Sequence, residues 1–578
     1  MSMSGGELIT GVLRAHGVGT VFSVAGASHT HLLDPLDRAG VSIISNRHEA
    51  GAVGGADGYA RATGGIGVAM IVADQGLPNA IGALAVAWHA QSPVLLLVAA
   101  PPRIFVEAET GIDQDKLALV TPVSAWARTV PDAERLADYL ETAIKNARMP
   151  RQGPVVLLIP ENILQAEISQ VPETPFMLPA AGTPDENAIN AAADLLSQAQ
   201  RPLIIAGSGA AWAGAGDSLA EISKTWGIPV FMNALGRGQV AEDGVLSFSW
   251  PYAQMAARQA DVVLIIGARM TQRLGLGLPP RFSNSARFIQ IDNDPRAFHR
   301  NRPTDVPVLG DAAACVSDIN SALGNRISAR KFDSSWVTKA LESRATRISE
   351  ILSGGHGAIH PLQLAAAINE RLPASSIFVA DGADIATWMY GAIRIQRRRG
   401  FMDHYPMGAM GSCTALAVGA AAAEKEAHGE QAAPVVLVTG DGAIGFHPGE
   451  IHAAVLAGLN LMVIVGNDGA WGTELHGQQE AIGRDINTKL GQLPYEKLAE
   501  AFGASGISIK SLDQLEHGLE KAFEAKGTVL VNVLIDPDAG KELKTNPDIR
   551  MILFSDILSG QASLSRLTGA MEERKEGT

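Results

Sequence analysis

Two apolar strands that each run straight into a glycine-flanked acidic turn constrain this chain more than anything else in it. Residues 435–439 lead into Gly440, Asp441 and Gly442, and residues 461–465 lead into Gly466, Asn467, Asp468 and Gly469. A continuous apolar run of strand length is buried on both faces, which points to a parallel sheet covered by helices. In such sheets ligands gather outside the carboxyl ends of the strands, where glycines let backbone N–H groups come close to an anion. A carboxylate at a strand end is a hard oxygen ligand for Mg²⁺, and a second donor at the next strand end shares the ion. Asp441 and Asp468 are the first metal candidates, with Asn467 as the alternative donor. One Gly-Asp-Gly turn is weak evidence; two acidic turns separated by a single helix are far more specific.

The same alternation of strand and helix fills the rest of the chain and predicts an α/β protein. At 578 residues the chain exceeds what one core supports. Three doubly wound parallel-sheet domains are expected, at residues 1–180, 185–327 and 356–540, with a Pro-rich linker near 171–184 and a C-terminal tail or lid at 541–578. The first and third blocks are alike in size and style without any sequence repeat. Hydrophobic residues at 47% and charged residues at 18% exclude a disordered chain. A net charge of −14 argues against a nucleic-acid partner, because phosphate binding needs clustered Lys and Arg. No apolar run is long enough for a membrane span and the first residues lack a signal-peptide pattern, so a cytoplasmic protein is expected. Cys315 and Cys413 have no paired spacing and are read as buried small residues, not as a disulfide or zinc site.

Far from the acidic turns, residues 46–61 contain Asn46, Arg47, His48, Glu49, Asp57, Gly58, Tyr59 and Arg61 among small residues. This stretch resembles the segment of thiamine diphosphate-dependent enzymes that carries their cofactor-activating Glu, and the Asp441 to Asp468 arrangement resembles the metal motif of the same family. The resemblance implies thiamine diphosphate and Mg²⁺ as cofactors. It implies that Glu49, in an apolar pocket with a raised pKa, shares a proton with the aminopyrimidine so that the 4′-imine can take up the thiazolium proton. It aligns the family's last metal-binding Asn with Asp468 and its ligating carbonyl with Ala470. It also implies that Asp381, Gly382, Ala383, Gly408, Met410, Gly440, Gly442, Ala443, Trp471 and Gly472 line the cofactor. Family members hold the cofactor between subunits, so a homodimer is the expected minimal unit and a homotetramer the expected assembly.

Three further segments resemble the benzaldehyde lyase branch: Gly111 to Gln114, the loop with His404 and Met410, and the stretch from Trp471 to Gln479. They imply that Gln114, His404 and His29 manage protons at the substrate. The branch's N-terminal His aligns with Ser28, which leaves Ser28 and His29 as alternatives. In the central block, the Gly277 to Phe282 segment resembles the 2-hydroxyacyl-CoA lyases. Arg269, Asp292 and Asp311 are candidates for a nucleotide there, ADP or CoA before FAD. The expected activity is cleavage or formation of a carbon–carbon bond in a 2-hydroxyacyl-CoA, releasing formyl-CoA and an aldehyde or ketone, or in a 2-hydroxy ketone. Acetolactate synthase and 2-oxo acid decarboxylase are the alternatives, and a non-catalytic regulatory homologue is a remote one.

Overall fold

The computed structural model describes residues 3–108, 114–168, 182–327, 331–354 and 357–546. The expected tail or lid therefore lies, from residue 547 onward, outside the described residues, as do Gly111 to Asp113.

The N-terminal sheet contains β1 (Thr20–Ser23), β2 (Ser42–Ser45), β3 (Gly67–Val72), β4 (Val94–Ala100), β5 (Trp126–Thr129) and β6 (Val155–Pro160), all parallel, in the order β2-β1-β3-β4-β6-β5. The central sheet contains β7 (Pro202–Ala206), β8 (Val230–Met232), β9 (Ser247–Ser249), β10 (Val262–Ile266), β11 (Arg287–Asp292) and β12 (Val306–Leu309), in the order β9-β8-β7-β10-β11-β12. The third contains β13 (Phe378–Ala380), β14 (Phe401–Asp403), β15 (Val435–Gly440), β16 (Leu461–Asn467), β17 (Ser505–Ile509) and β18 (Val529–Leu534), in the order β14-β13-β15-β16-β18-β17.

The first and third sheets thus share one winding order, which no sequence repeat betrays. The central sheet has the strand order of dinucleotide-binding domains. In each sheet the order of winding reverses next to its first strand, although all the strands are parallel. The crevices so formed lie between β1 and β3, between β7 and β10, and between β13 and β15.

The first and third domains are joined by two helices of small residues, Glu49–Thr63 and Cys413–His428. A Cβ added at Gly58 would stand 2.0 Å from the Leu416 carbonyl oxygen, and one at Gly419 would stand 1.9 Å from that of Gly55. Glycine is required here because the two backbones nearly touch. A continuous apolar core follows, running from Phe22 and Ala56 through Leu416 to Val463. Into this seam Arg61 places a fully buried guanidinium, paired with both carboxylate oxygens of Asp57 at 2.7 and 2.6 Å and donating to the Asp403 carbonyl at 2.8 Å. Both cysteines are free and buried, as expected. Among the described residues no helix is long and apolar enough to cross a membrane.

Candidate active site

Asp441 follows β15 and Asp468 follows β16, two neighbouring parallel strands whose paired residues run to Gly440 opposite Gly466. The strand register alone brings the two carboxylates together. The Asp441 carboxylate accepts the N–H groups of Gly442 and Gly469, each at 2.9 Å, and Asp468 accepts that of Ala470 at 3.1 Å. Burial pushes Asp441 up to about 6; burial, reinforced by the charge of Asp441, pushes Asp468 up to about 7. Two carboxylates that close hold a proton between them or share a cation. The residues present therefore fit a divalent metal.

Asn467 does not join them. Its side chain is fully buried, with the amide donating to the Leu493 carbonyl at 3.0 Å and to Asn532 Oδ1 at 3.1 Å. Alternation along β16 explains this: consecutive side chains leave opposite faces of the strand, so only one can look into the crevice. Of the two alternative donors, Asp468 is the one facing Asp441.

The backbone around the carboxylates is bare and crowded on its inner side. A Cβ at Gly442 would meet the Trp471 ring at 2.4 Å, and one at Gly472 would meet Asp468 Oδ2 at 2.5 Å. Gly382 lies beside Gly440, with 3.3 Å between a Cβ at the former and the amide nitrogen of the latter. Gly440, Gly442, Ala443, Gly382, Ala383, Ala470, Trp471 and Gly472 thus gather at the carboxyl ends of β13, β15 and β16. The carbonyl of Gly469 accepts N–H groups from Leu490 and Gly491, which fixes the turn carrying Ala470. Sequence reasoning passed over Asp384. Its half-buried carboxylate accepts from the Thr473 hydroxyl and lies against Gly472 beside Asp468, a third acidic group at the site.

Asp381 is turned inward, away from the crevice. Fully buried, it accepts the N–H groups of Gly382, Gly411 and Cys413 and so organises the 408–413 loop. This loop carries Gly408, at φ 82°, and the half-buried Met410. His404 lies just before this loop. It is 1% exposed, with Nδ1 3.4 Å from Asp381 Oδ1, and burial together with nearby Arg273 pushes it down to about 3. The imidazole is therefore neutral and enclosed in the single chain. Asp381, His404 and Cys413 do lie within 4.8 Å of one another, but the carboxylate is already committed to three backbone donors, and the trio is a packing hub.

In the N-terminal domain, Glu49 opens the Glu49–Thr63 helix after β2. It is half-buried, accepts from Asn79 Nδ2 at 3.0 Å, and lies against Gly76, where a Cβ would stand 3.3 Å from its Oε1. The enclosed apolar pocket expected for it is not formed by this chain alone. Gln114 donates to the Asp74 carbonyl at 3.2 Å, which brings it to the same strand-end loop as Gly76. His29 is 1% exposed and its Nε2 accepts the Gly26 N–H at 2.9 Å, which braces its own turn, and Ser28 is half-exposed beside it.

In the central domain, Arg269, Asp292 and Asp311 all line one cavity of about 600 Å³ over the β7–β10 crevice. Gly207 and Gly267 form its floor, and six arginines face it, including Arg148, Arg151, Arg296 and Arg300. Its walls include His89 of the first domain and Tyr405 of the third, and Arg273 stacks on the Tyr405 ring at 3.0 Å.

Three family models match, in order along the chain: the thiamine pyrophosphate enzyme N-terminal TPP binding domain over residues 3–119, the central domain over 189–319, and the C-terminal TPP binding domain over 381–533. The chain belongs to the thiamine pyrophosphate enzymes. It is similar to a probable acetolactate synthase of Mycobacterium bovis, 29% identical over 94% of this chain and 98% of that protein. It is also similar to an oxalyl-CoA decarboxylase of Escherichia coli, 27% identical, and to a 2-hydroxyacyl-CoA lyase of Oryza sativa, 28% identical, each over 94% of this chain and 97% of the relative. It is accordingly a thiamine pyrophosphate-dependent enzyme.

Proposed function

We propose that this enzyme cleaves or forms the carbon–carbon bond beside a carbonyl, acting on a 2-hydroxyacyl-CoA with release of formyl-CoA and an aldehyde or ketone, or on a 2-hydroxy ketone. The observation that carries the reading is the cationic central cavity with acidic groups at two strand ends, Asp292 and Asp311. Arginines suit phosphates and a strand-end carboxylate suits ribose hydroxyls, so the cavity has the chemistry of an adenine nucleotide, ADP or the nucleotide portion of CoA, with FAD a poorer fit.

In this reading Asp441, Asp468 and the Ala470 carbonyl hold Mg²⁺, and the glycine-lined turns receive the diphosphate. Thiamine diphosphate supplies a nucleophilic carbon. Glu49 would hold the proton shared with the aminopyrimidine, Met410 would pack against the cofactor, and Trp471 would close one wall. Gln114 and Ser28 face the substrate and hydrogen-bond the developing alkoxide. His404, His29 and Asp381 act as supports for these elements. The half-exposure of Glu49 and the exposed apolar Met407 and Phe446 near the diphosphate turns support a homodimer in which a second copy completes the pocket, with a homotetramer as the full assembly. A cytoplasmic location goes with this reading.

Acetolactate synthesis from pyruvate is the second reading, favoured by the similarity to acetolactate synthases. A panel of a 2-hydroxyacyl-CoA, benzoin and pyruvate, each with Mg²⁺ and thiamine diphosphate, separates them. Formyl-CoA or benzaldehyde as product supports the lyase; acetolactate as the sole product overturns it. Calorimetric titration of ADP and CoA, repeated with Arg269→Ala and Asp292→Asn, tests the cavity.

A further inference from the structure

One buried carboxylate outside the groups assigned above joins the diphosphate turn to the Glu49 turn. Glu450 begins the helix Glu450–Leu456, a few residues beyond Asp441, and is 1% exposed. Its carboxylate leaves its own domain and enters the backbone turn just before Glu49. There it accepts from Asn46 Nδ2 at 2.8 Å and from the Arg47 N–H at 3.1 Å. It lies directly against Gly51, where a Cβ would stand 2.0 Å from Glu450 Oε1. Any residue but glycine at position 51 would expel it. The neighbouring rings of His48 and His447, with centroids 5.6 Å apart, close the contact from the side, and His48 caps the Glu49 helix by accepting the Ala50 N–H at 3.0 Å.

A buried carboxylate with charge-assisted hydrogen bonds fixes its donors more firmly than a neutral contact would. The donors here are the side chain and backbone that set where the Glu49 helix begins. We propose that Glu450 is a positioning residue for Glu49: anchored on the segment that follows the diphosphate turn, it fixes the 46–51 turn and thereby the direction of the Glu49 carboxylate. The proposal rests on the assignment of Glu49 as the group that shares the cofactor's proton.

The test needs no substrate. Exchange of the C2 proton of bound thiamine diphosphate with deuterium, followed by proton NMR after acid quench, reads the action of Glu49 directly. Cofactor affinity from tryptophan fluorescence and thermal midpoint report binding and folding separately. Glu450→Ala is expected to slow the exchange on the order of 100-fold, the scale of a misdirected catalytic group, with cofactor affinity changed by less than about threefold, since the metal and diphosphate turns are untouched. Glu450→Gln is expected to recover most of the rate, because its carbonyl oxygen still accepts the Arg47 N–H and the Asn46 amide can turn over to present its otherwise unpartnered Oδ1 to the new NH2 group. Asn46→Ala, milder for folding, is expected to slow exchange in the same direction. Wild-type exchange in Glu450→Ala or Asn46→Ala, or a loss that merely follows lost binding or a lowered midpoint, overturns the proposal. A wild-type protein that binds the cofactor but whose Glu49→Gln variant exchanges normally overturns the assignment of Glu49 itself, and the proposal with it.

Discussion

Replacing Asp468 by Asn should stabilise the metal-free protein in alkaline solution and leave it unchanged in acid. Without a cation, burial raises Asp441 to about 6, and burial reinforced by the charge of Asp441 raises Asp468 to about 7, against about 4 for a free Asp. The native chain therefore holds more protons than the unfolded chain between about pH 4 and 7, so stability falls as pH rises through that window and stays low above it. At about 1.4 kcal/mol per pH unit the displacement of Asp468 corresponds to about 4 kcal/mol. Partial solvent access reduces the recoverable part to about 2 kcal/mol. An Asn at 468 keeps the acceptor for the Ala470 N–H and donates an amide proton toward Asp441, where the acid otherwise needs a bound proton. Thermal unfolding in EDTA should show the variant melting several degrees above wild type at pH 8, with the two curves converging by about pH 4. Added Mg²⁺ should raise the wild-type midpoint more than that of the variant. An unchanged or lower midpoint at pH 8, or a gain that ignores pH, would refute the paired-carboxylate account.

Three further outcomes follow from the same geometry. Glu49→Gln should retain cofactor binding and lower turnover about 10²- to 10⁴-fold, measured as steady-state rate beside fluorescence titration of thiamine diphosphate. Gly442→Ala, whose Cβ would meet the Trp471 ring at 2.4 Å, should lower both apo stability and cofactor affinity, whereas Gly440→Ala, with only Ile385 at 3.6 Å nearby, should spare apo stability; thermal melts of the two variants separate these. Arg61→Ala removes the partner of a buried Asp57 and should destabilise by about 3–5 kcal/mol, read from urea unfolding; a loss under about 1 kcal/mol would mean that the seam between the first and third domains does not depend on this pair.

Sequence patterns resolved the site where chemistry and backbone geometry coincide. Apolar runs ending in glycine and aspartate announced β15 and β16, and the parallel register then made the meeting of Asp441 with Asp468 unavoidable. The small residues after Glu49 were legible as a pattern, but their cause, the near contact of Gly55 and Gly58 with the Cys413–His428 helix, required a partner from the third domain. His404 and His29 lie in segments with active-site resemblance, and both rings are buried in the folded chain, which no local signal in the sequence announces.

What the sequence alone determined, then, is the α/β class, the three blocks and the strand ends at which a metal and an anion can meet, because periodicity, glycine and carboxylate chemistry are local properties. Tertiary structure decided which side chains actually face the crevices. Asn467 ends β16 with its side chain in the core while Asp468, the next residue, turns toward Asp441, and Glu450 reaches the turn before Glu49 only because two domains share a core. Direction and long-range contact depend on strand pairing and domain packing, which the order of residues encodes but does not display.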